Sequence, residues 1–256
     1  MEGFRATFPA QEVIFDAGAL ERLASERDGH GWRRLLLCAT AGARMRGQVA
    51  TIERQLGERL AATFDRVRPH VPAEDVATCV ELARERGVDA IIALGGGSAI
   101  GLAKATSHAL EQPGDTADTS DPLAPPRAPI IAIPTTYAGS EMTAVYGITR
   151  VEEGTPRKLT TREPRITPRL VIYDPLLTLS MPPGATAGTG INAVAHCVEA
   201  LYSDSRNPRA TAAALGGLRM LARALPACVD DGADVAARSE ALAGAWLAGT
   251  ALAHVT

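Results

Sequence analysis

Three stretches of this chain carry residue types whose spacing could do chemistry. The first is Gly95-Gly96-Gly97-Ser98, which follows an apolar run and precedes a helix-like segment. Glycines there let a phosphate come close to the backbone. A helix starting just beyond would offer free N–H groups and a partial positive charge. Ser98 could cap that helix or donate to a phosphate oxygen. A tight strand–helix turn without a ligand would use the same residues, and the pattern is not the GxGxxG of an ordinary dinucleotide fingerprint. The second stretch, PTTYAGSE at 134–141, leaves another apolar run. It puts the hydroxyls of Thr135, Thr136 and Ser140 at a strand's carboxyl end, where open α/β sheets bind ligands; an ordinary loop with capping hydroxyls would read the same way. The third is Asn192, His196 and Glu199, spaced i, i+4 and i+7 on one helix face. A neutral amide in the first position makes this set a poor metal cradle, and a packed helical histidine is the plainer alternative. Lys158 with Arg157, Arg162, Arg165 and Arg169 forms a local basic cluster. It reads either as a solvated connector or as an attraction for anionic substrate or cofactor groups.

The elements that must position these residues alternate between strand-like and helix-like patterns. LLLCAT (35–40), VDAIIAL (88–94), PIIAIPTT (129–136) and RLVIYDP (169–175) are short apolar runs, as buried parallel strands are. Helical spacing covers 47–60, 73–86 and the segment after the glycines, with Glu74 and Asp75 opening the second of these. The stretch 112–128, rich in Pro, Asp and Thr, predicts a surface loop. From Ala185 onward the sequence turns to Ala, Leu and Gly with no strand-like run, which predicts packed helices. The fold class is therefore α/β: a parallel-sheet domain over 1–176, then an all-helical domain over 177–256.

Composition narrows the function. Twenty-six basic side chains against 29 acidic, a net charge of −3, and 4% aromatic residues argue against a nucleic-acid surface. No apolar run reads as long enough for a membrane helix. The opening MEGFRATFPAQ does not read as a secretory signal. Four widely spaced cysteines without a CxxC pair fit free thiols in a reducing cytoplasm.

Taken together and in order, ALGGGSAIGLAKA, PTTYAGSEMTAVYGIT, Lys158, VIYDPLLTLSMPPG and TGINAVAHCVEALYS resemble the iron-containing alcohol dehydrogenase superfamily, and within it the branch that reduces maleylacetate. The similarity runs from about residue 12 to the end. It implies a dinucleotide-binding domain followed by a helical domain in the dehydroquinate synthase-like arrangement, with NADH or NADPH held between them. By the same resemblance Gly95, Gly96, Gly97 and Ser98 would take the pyrophosphate. Thr135, Thr136 and Thr143 would lie on the nicotinamide side, and Lys158 would contact the cofactor. Thr40 stands where the alcohol dehydrogenases commonly carry an acid that grips the ribose 2′-hydroxyl; with Arg44 nearby, this permits NADPH. Gly101 replaces a frequent aspartate, and His70-Val71-Pro72 replaces an Asn-Pro pattern. Asn192 replaces a metal-holding aspartate, so the resemblance implies no required metal.

The implied reaction is reduction of maleylacetate, a small anionic dicarboxylate, to 3-oxoadipate in aromatic-compound catabolism. His196 would take the place of the metal in polarising the carbonyl as the enolate forms, and Arg157, Arg162, Arg165 and Asn192 would meet the substrate. Two alternatives stand beside this: a metal-dependent alcohol dehydrogenase of the same superfamily, and an inactive nucleotide-binding remnant. The resemblance also implies a homodimer, and a helix with two further active-site histidines beyond residue 256; His254 sits too early to replace them.

Overall fold

The computed structural model describes residues 9–111, 124–152 and 154–255. Its first part is a six-stranded parallel sheet: β1 (Glu12–Phe15), β2 (Leu35–Ala39), β3 (Leu60–Phe64), β4 (Ala90–Gly95), β5 (Ile130–Pro134) and, closing the set, Leu170–Tyr173. Between β5 and that last strand lies an antiparallel hairpin, β6 (Val145–Glu152) and β7 (Thr155–Arg162), so Leu170–Tyr173 is β8. The order across the sheet is β1-β8-β5-β4-β2-β3. The central strands β2, β4, β5 and β8 are buried along their whole length. Alternate residues feed two separate cores. Leu36, Cys38, Ile91 and Ala93 point to one face, and Leu35, Leu37, Ile92 and Leu94 to the other. A strand apolar on both faces needs cover on both, which the helices supply.

Those helices are α1 (Leu23–His30), α2 (Ala41–Met45), α3 (Gln48–Leu56), α4 (Ala73–Glu85) and α5 (Gly97–Leu110). After the sheet come α6 (Pro183–Tyr202), α7 (Pro208–Asp230) and α8 (Val235–Ala253), packed on one another. Their small residues permit close approach: a Cβ on Gly217 would stand 3.1 Å from the carbonyl oxygen of Gly244. α7 is long and apolar enough to pass for a membrane span, contrary to the sequence expectation. It packs against α6 and α8, and it carries Arg219 and Arg223.

Other sequence expectations need correction. The helix expected over 47–60 ends at Leu56, because Gly57 leaves helical geometry at φ 50°, ψ −128°, and Leu60 already begins β3. The edge strand β1 has only four residues and one buried side chain, too little pattern to read. The basic connector around Lys158 is the β6–β7 hairpin, whose Val, Ile and Thr favour extended chain although most side chains are exposed. Of the expected 112–128 loop, residues 112–123 lie outside the described residues.

Candidate active site

Chain order reverses beside β2: the strand that follows it, β3, lies on one side, and β4 on the other. Such a switch opens a crevice at the carboxyl ends of β2 and β4. Thr40 and Gly95 sit there; a Cβ on Gly95 would stand 3.3 Å from Thr40 Cγ2. Thr40 caps α2 by accepting from Ala43 N at 3.3 Å. α5 begins at Gly97 with Gly96 as its N-cap and no side chain closing the end. Its first N–H groups have no intrahelical acceptor. Ser98 lies within the helix, so it is not the cap. Gly96 is demanded by its neighbour: a Cβ there would stand 2.8 Å from Thr136 Oγ1. On Gly97 a Cβ would find only ordinary contact, 3.9 Å from Ala138.

From this helix end a cleft of about 560 Å³ opens toward the hairpin and α6. Gly97 and Ser98 line one end, Gly147, Lys158 and Thr160 the hairpin wall, and Asn192, His196 and Glu199 the α6 wall. The predicted α6 face therefore does point into one cavity with the glycine turn. The Lys158 chain lies across Gly147, in the space a Cβ would need. Asn192 Nδ2 approaches His196 Nε2 at 3.3 Å and donates to the Ala138 carbonyl at 3.4 Å. With the amide as donor, Nε2 is the acceptor of this contact, while the buried Nδ1 has no partner. Burial lowers the His196 pKa, against a smaller opposing pull from Glu199, so the ring is neutral near pH 7. To donate from Nε2 it must first take up a proton.

The remaining predicted residues divide. Thr135 is buried, and Thr136 packs on Gly96; neither borders the cleft. Thr143 does border it, but its hydroxyl donates to the Ser140 carbonyl at 3.1 Å and accepts from Lys104 at 3.2 Å. The three arginines expected to meet substrate do not line the cleft. Arg157 lies 3.6 Å from Glu152, and Arg165 is pinned by Glu111 at 3.1 Å and Glu163 at 3.2 Å. Arg162 is exposed at the end of β7. Strand alternation explains part of this, since 157 and 158 must face opposite ways. Arg44 is paired with Glu53 at 3.0 Å and with Asp65, so a 2′-phosphate arriving beside Thr40 would meet two carboxylates as well as a guanidinium.

Three features of the site exceed what the sequence shows, although His70-Val71-Pro72 stands out there as a departure from an Asn-Pro pattern. His70 lines the cleft, and it and Val71 hold left-handed backbone, φ 64° and 51°, which is unusual and strained for a β-branched valine. Thr149 staples them: its hydroxyl donates to the His70 carbonyl at 2.8 Å and its N–H to the Val71 carbonyl at 2.9 Å. Val71 fills the space over Gly101, where a Cβ would stand 3.0 Å from Val71 Cγ2. Second, Lys104 is fully buried on α5; a lone lysine in an otherwise apolar and small-residue run was the available signal. Third, buried Arg238 of α8 ties the β5 exit to the helices, reaching Tyr137 Oη at 3.2 Å, Thr186 Oγ1 at 2.8 Å and the Met181 carbonyl at 3.2 Å.

With this geometry in view, comparison with known proteins is direct. The family model described as iron-containing alcohol dehydrogenase matches residues 10–175, and the one for the C-terminal part of the same family matches 186–256. A maleylacetate reductase of Pseudomonas sp. strain P51 is 42% identical over 246 residues, covering 95% of this chain and 63% of that protein. One from Burkholderia cepacia is 41% identical, covering 99% and 65%. The solved maleylacetate reductase of Rhizobium sp. strain MTP-10005 superposes with a TM-score of 0.87 at 39% identity, covering 100% of this chain and 67% of that one. The chain thus spans a little under two thirds of the length of the curated relatives it matches.

Proposed function

The chain belongs to the iron-containing alcohol dehydrogenase family, and from that membership we propose that it is a reductase converting maleylacetate to 3-oxoadipate with NADH or NADPH. One observation carries the reading: a helix end bare of side chains shares a single cleft with Lys158, His70, His196 and Asn192. When bound, the reduced nicotinamide supplies a hydride, which goes to the alkene carbon β to the substrate ketone. The backbone of Gly97 and Ser98, at the positive end of α5, takes the pyrophosphate. Lys158 stands across the cleft as the lining ammonium, able to face either a phosphate or a substrate carboxylate. Negative charge builds on the substrate's carbonyl oxygen as an enolate forms. His196, once it has taken up a proton from solvent, delivers it to the α carbon. Residues 1–176 carry the cofactor's side of this site, and 177–256 the wall with Asn192 and His196. Four free, buried cysteines agree with a cytoplasmic setting.

The family's name implies iron, and the cleft's donors do not fit it. The place of a charged ligand is held by the neutral Asn192, whose Nδ2 faces His196 Nε2. Among the described residues no three His, Cys, Asp or Glu are grouped to hold an ion. We therefore derive no step through a metal, and whether the enzyme requires one is decided by the metal analysis below.

The decisive experiment follows NADH absorbance with maleylacetate, alongside metal analysis of the same sample. Oxidation that survives chelation supports the proposal. Nucleotide binding without turnover favours an inactive remnant, and stoichiometric iron whose removal ends activity favours a metal-dependent alcohol dehydrogenase. In an active sample, His196→Ala is expected to lower kcat at least about a hundredfold, with little change in NADH affinity. Undiminished kcat would return His196 to a packing role.

A further inference from the structure

Lys104 has no exposed surface, and nothing in the proposed reduction uses it. Its Nζ donates to the main-chain oxygens of Ser140 at 2.6 Å, Thr143 at 2.6 Å and Val145 at 3.1 Å, and reaches Thr143 Oγ1 at 3.2 Å. Four oxygens surround an ammonium with three hydrogens, and none of the four belongs to a carboxylate. All come from residues 140–145, the stretch that leads from the β5 exit into the hairpin. Ser140, Thr143 and Val145 also line the cleft, facing Gly97 and Ser98. Behind them buried Glu141 accepts from the Tyr173 hydroxyl at 2.7 Å.

We propose that Lys104 is a positioning residue: its ammonium gathers residues 140–145 into the wall opposite the α5 N-terminus, and loss of its proton loosens that wall and weakens nucleotide binding. The inference rests on the cofactor reading above.

Burial pushes the Lys104 amine down to about 7, opposed by the nearby Glu141. Glu141 is itself raised, by burial first and against the Tyr173 hydrogen bond. Among the other titratable groups on the elements packed around α5 are His108 on α5 itself with Tyr146 of β6, Asp75, Cys79 and Arg84 of α4, Cys38 of β2, and Glu163 and Arg165 at the turn before β8. Among all of these, Glu141 alone acts on the Lys104 charge. The sign follows. With the folded value below that of a free lysine, the folded chain releases this proton as pH rises through about 7, whereas an unfolded chain keeps it. A neutral amine has two hydrogens for the same four oxygens and loses the charge that strengthened each bond. Ligand binding that favours the gathered wall must favour proton retention equally, by linkage.

The test is NADH affinity of the whole chain, titrated by fluorescence between about pH 6 and about pH 9. The unaltered chain is expected to lose about tenfold in affinity across that range as the lysine deprotonates. Lys104→Met is expected to bind about tenfold more weakly already at the acidic end and to lack the falling limb. Glu141→Gln keeps the lysine but removes the carboxylate that supports its charge, so the limb should move to lower pH. That variant also serves if Lys104→Met does not fold. A limb that persists in Lys104→Met, or stays in place in Glu141→Gln, would overturn the assignment. An unaltered chain that binds NADH equally at every pH overturns it too. No NADH affinity at any pH would instead defeat the cofactor reading itself.

Discussion

After β4 the chain turns through three glycines and leaves the N–H groups of α5 uncovered; after β5 it turns through Thr135, Thr136, Ser140 and Thr143, and much of its polarity is already spent inward. The Thr143 hydroxyl and the carbonyls of Ser140 and Thr143 serve Lys104. Thr136 serves as the surface on which Gly96 packs. Tyr137 is buried and held by Arg238. The two exits are neighbours in one sheet, yet one offers backbone to a ligand and the other shapes the space around it. A hydroxyl counted in a sequence is therefore not yet a hydroxyl on offer.

The largest effect should come from cutting the β5 exit loose from the helices. Arg238→Met removes the guanidinium that donates to Tyr137 Oη, Thr186 Oγ1 and the Gly232 and Met181 carbonyls, the last of which keeps only the Thr186 hydroxyl, and should lower unfolding free energy by about 3 kcal/mol or more. An unshifted denaturation midpoint would mean that the exit stands without its helical anchor. Next comes the contact between the two exits. Gly96→Ala drives a methyl into Thr136 and should cost about 1–3 kcal/mol. Adding Thr136→Ala removes the opposing Oγ1 and Cγ2 and should restore most of that loss; two independent, additive losses would break the pairing. The smallest effect on folding, and the sharpest on binding, belongs to Gly97→Ala. The new methyl has room, so the midpoint should hold or rise slightly. NADH affinity should nevertheless fall about tenfold, or about 1.4 kcal/mol. Unchanged affinity would remove the pyrophosphate from this helix end.

Legibility in the sequence followed the strength of the local pattern. β2, β4, β5 and β8 are apolar on both faces, and the one face shared by Asn192, His196 and Glu199 needed only a helical period to be seen. β1 and the hairpin were not readable, because four residues or an exposed ribbon leave little hydrophobic alternation. The basic cluster misled for a different reason. Proximity along a chain says nothing about side when strand residues alternate, and Arg165 turned out to be committed to two carboxylates. Lys104 was hidden because its partners are carbonyl oxygens 36 or more residues away, which no spacing rule reports.

The strained loop at His70 and Val71 has a consequence for how this site could change. Val71 occupies the room above residue 101, and Thr149 locks the loop that carries it. A Cβ introduced at 101 would stand 3.0 Å from Val71 Cγ2, so an acid there requires the valine, or the loop that holds it, to shift by a few tenths of an ångström. The reverse is also true: a loop moved away first leaves a hole over the helix. The side chain tolerated at 101 is thus set by a loop 30 residues away in sequence, and the two positions are coupled through one methyl group.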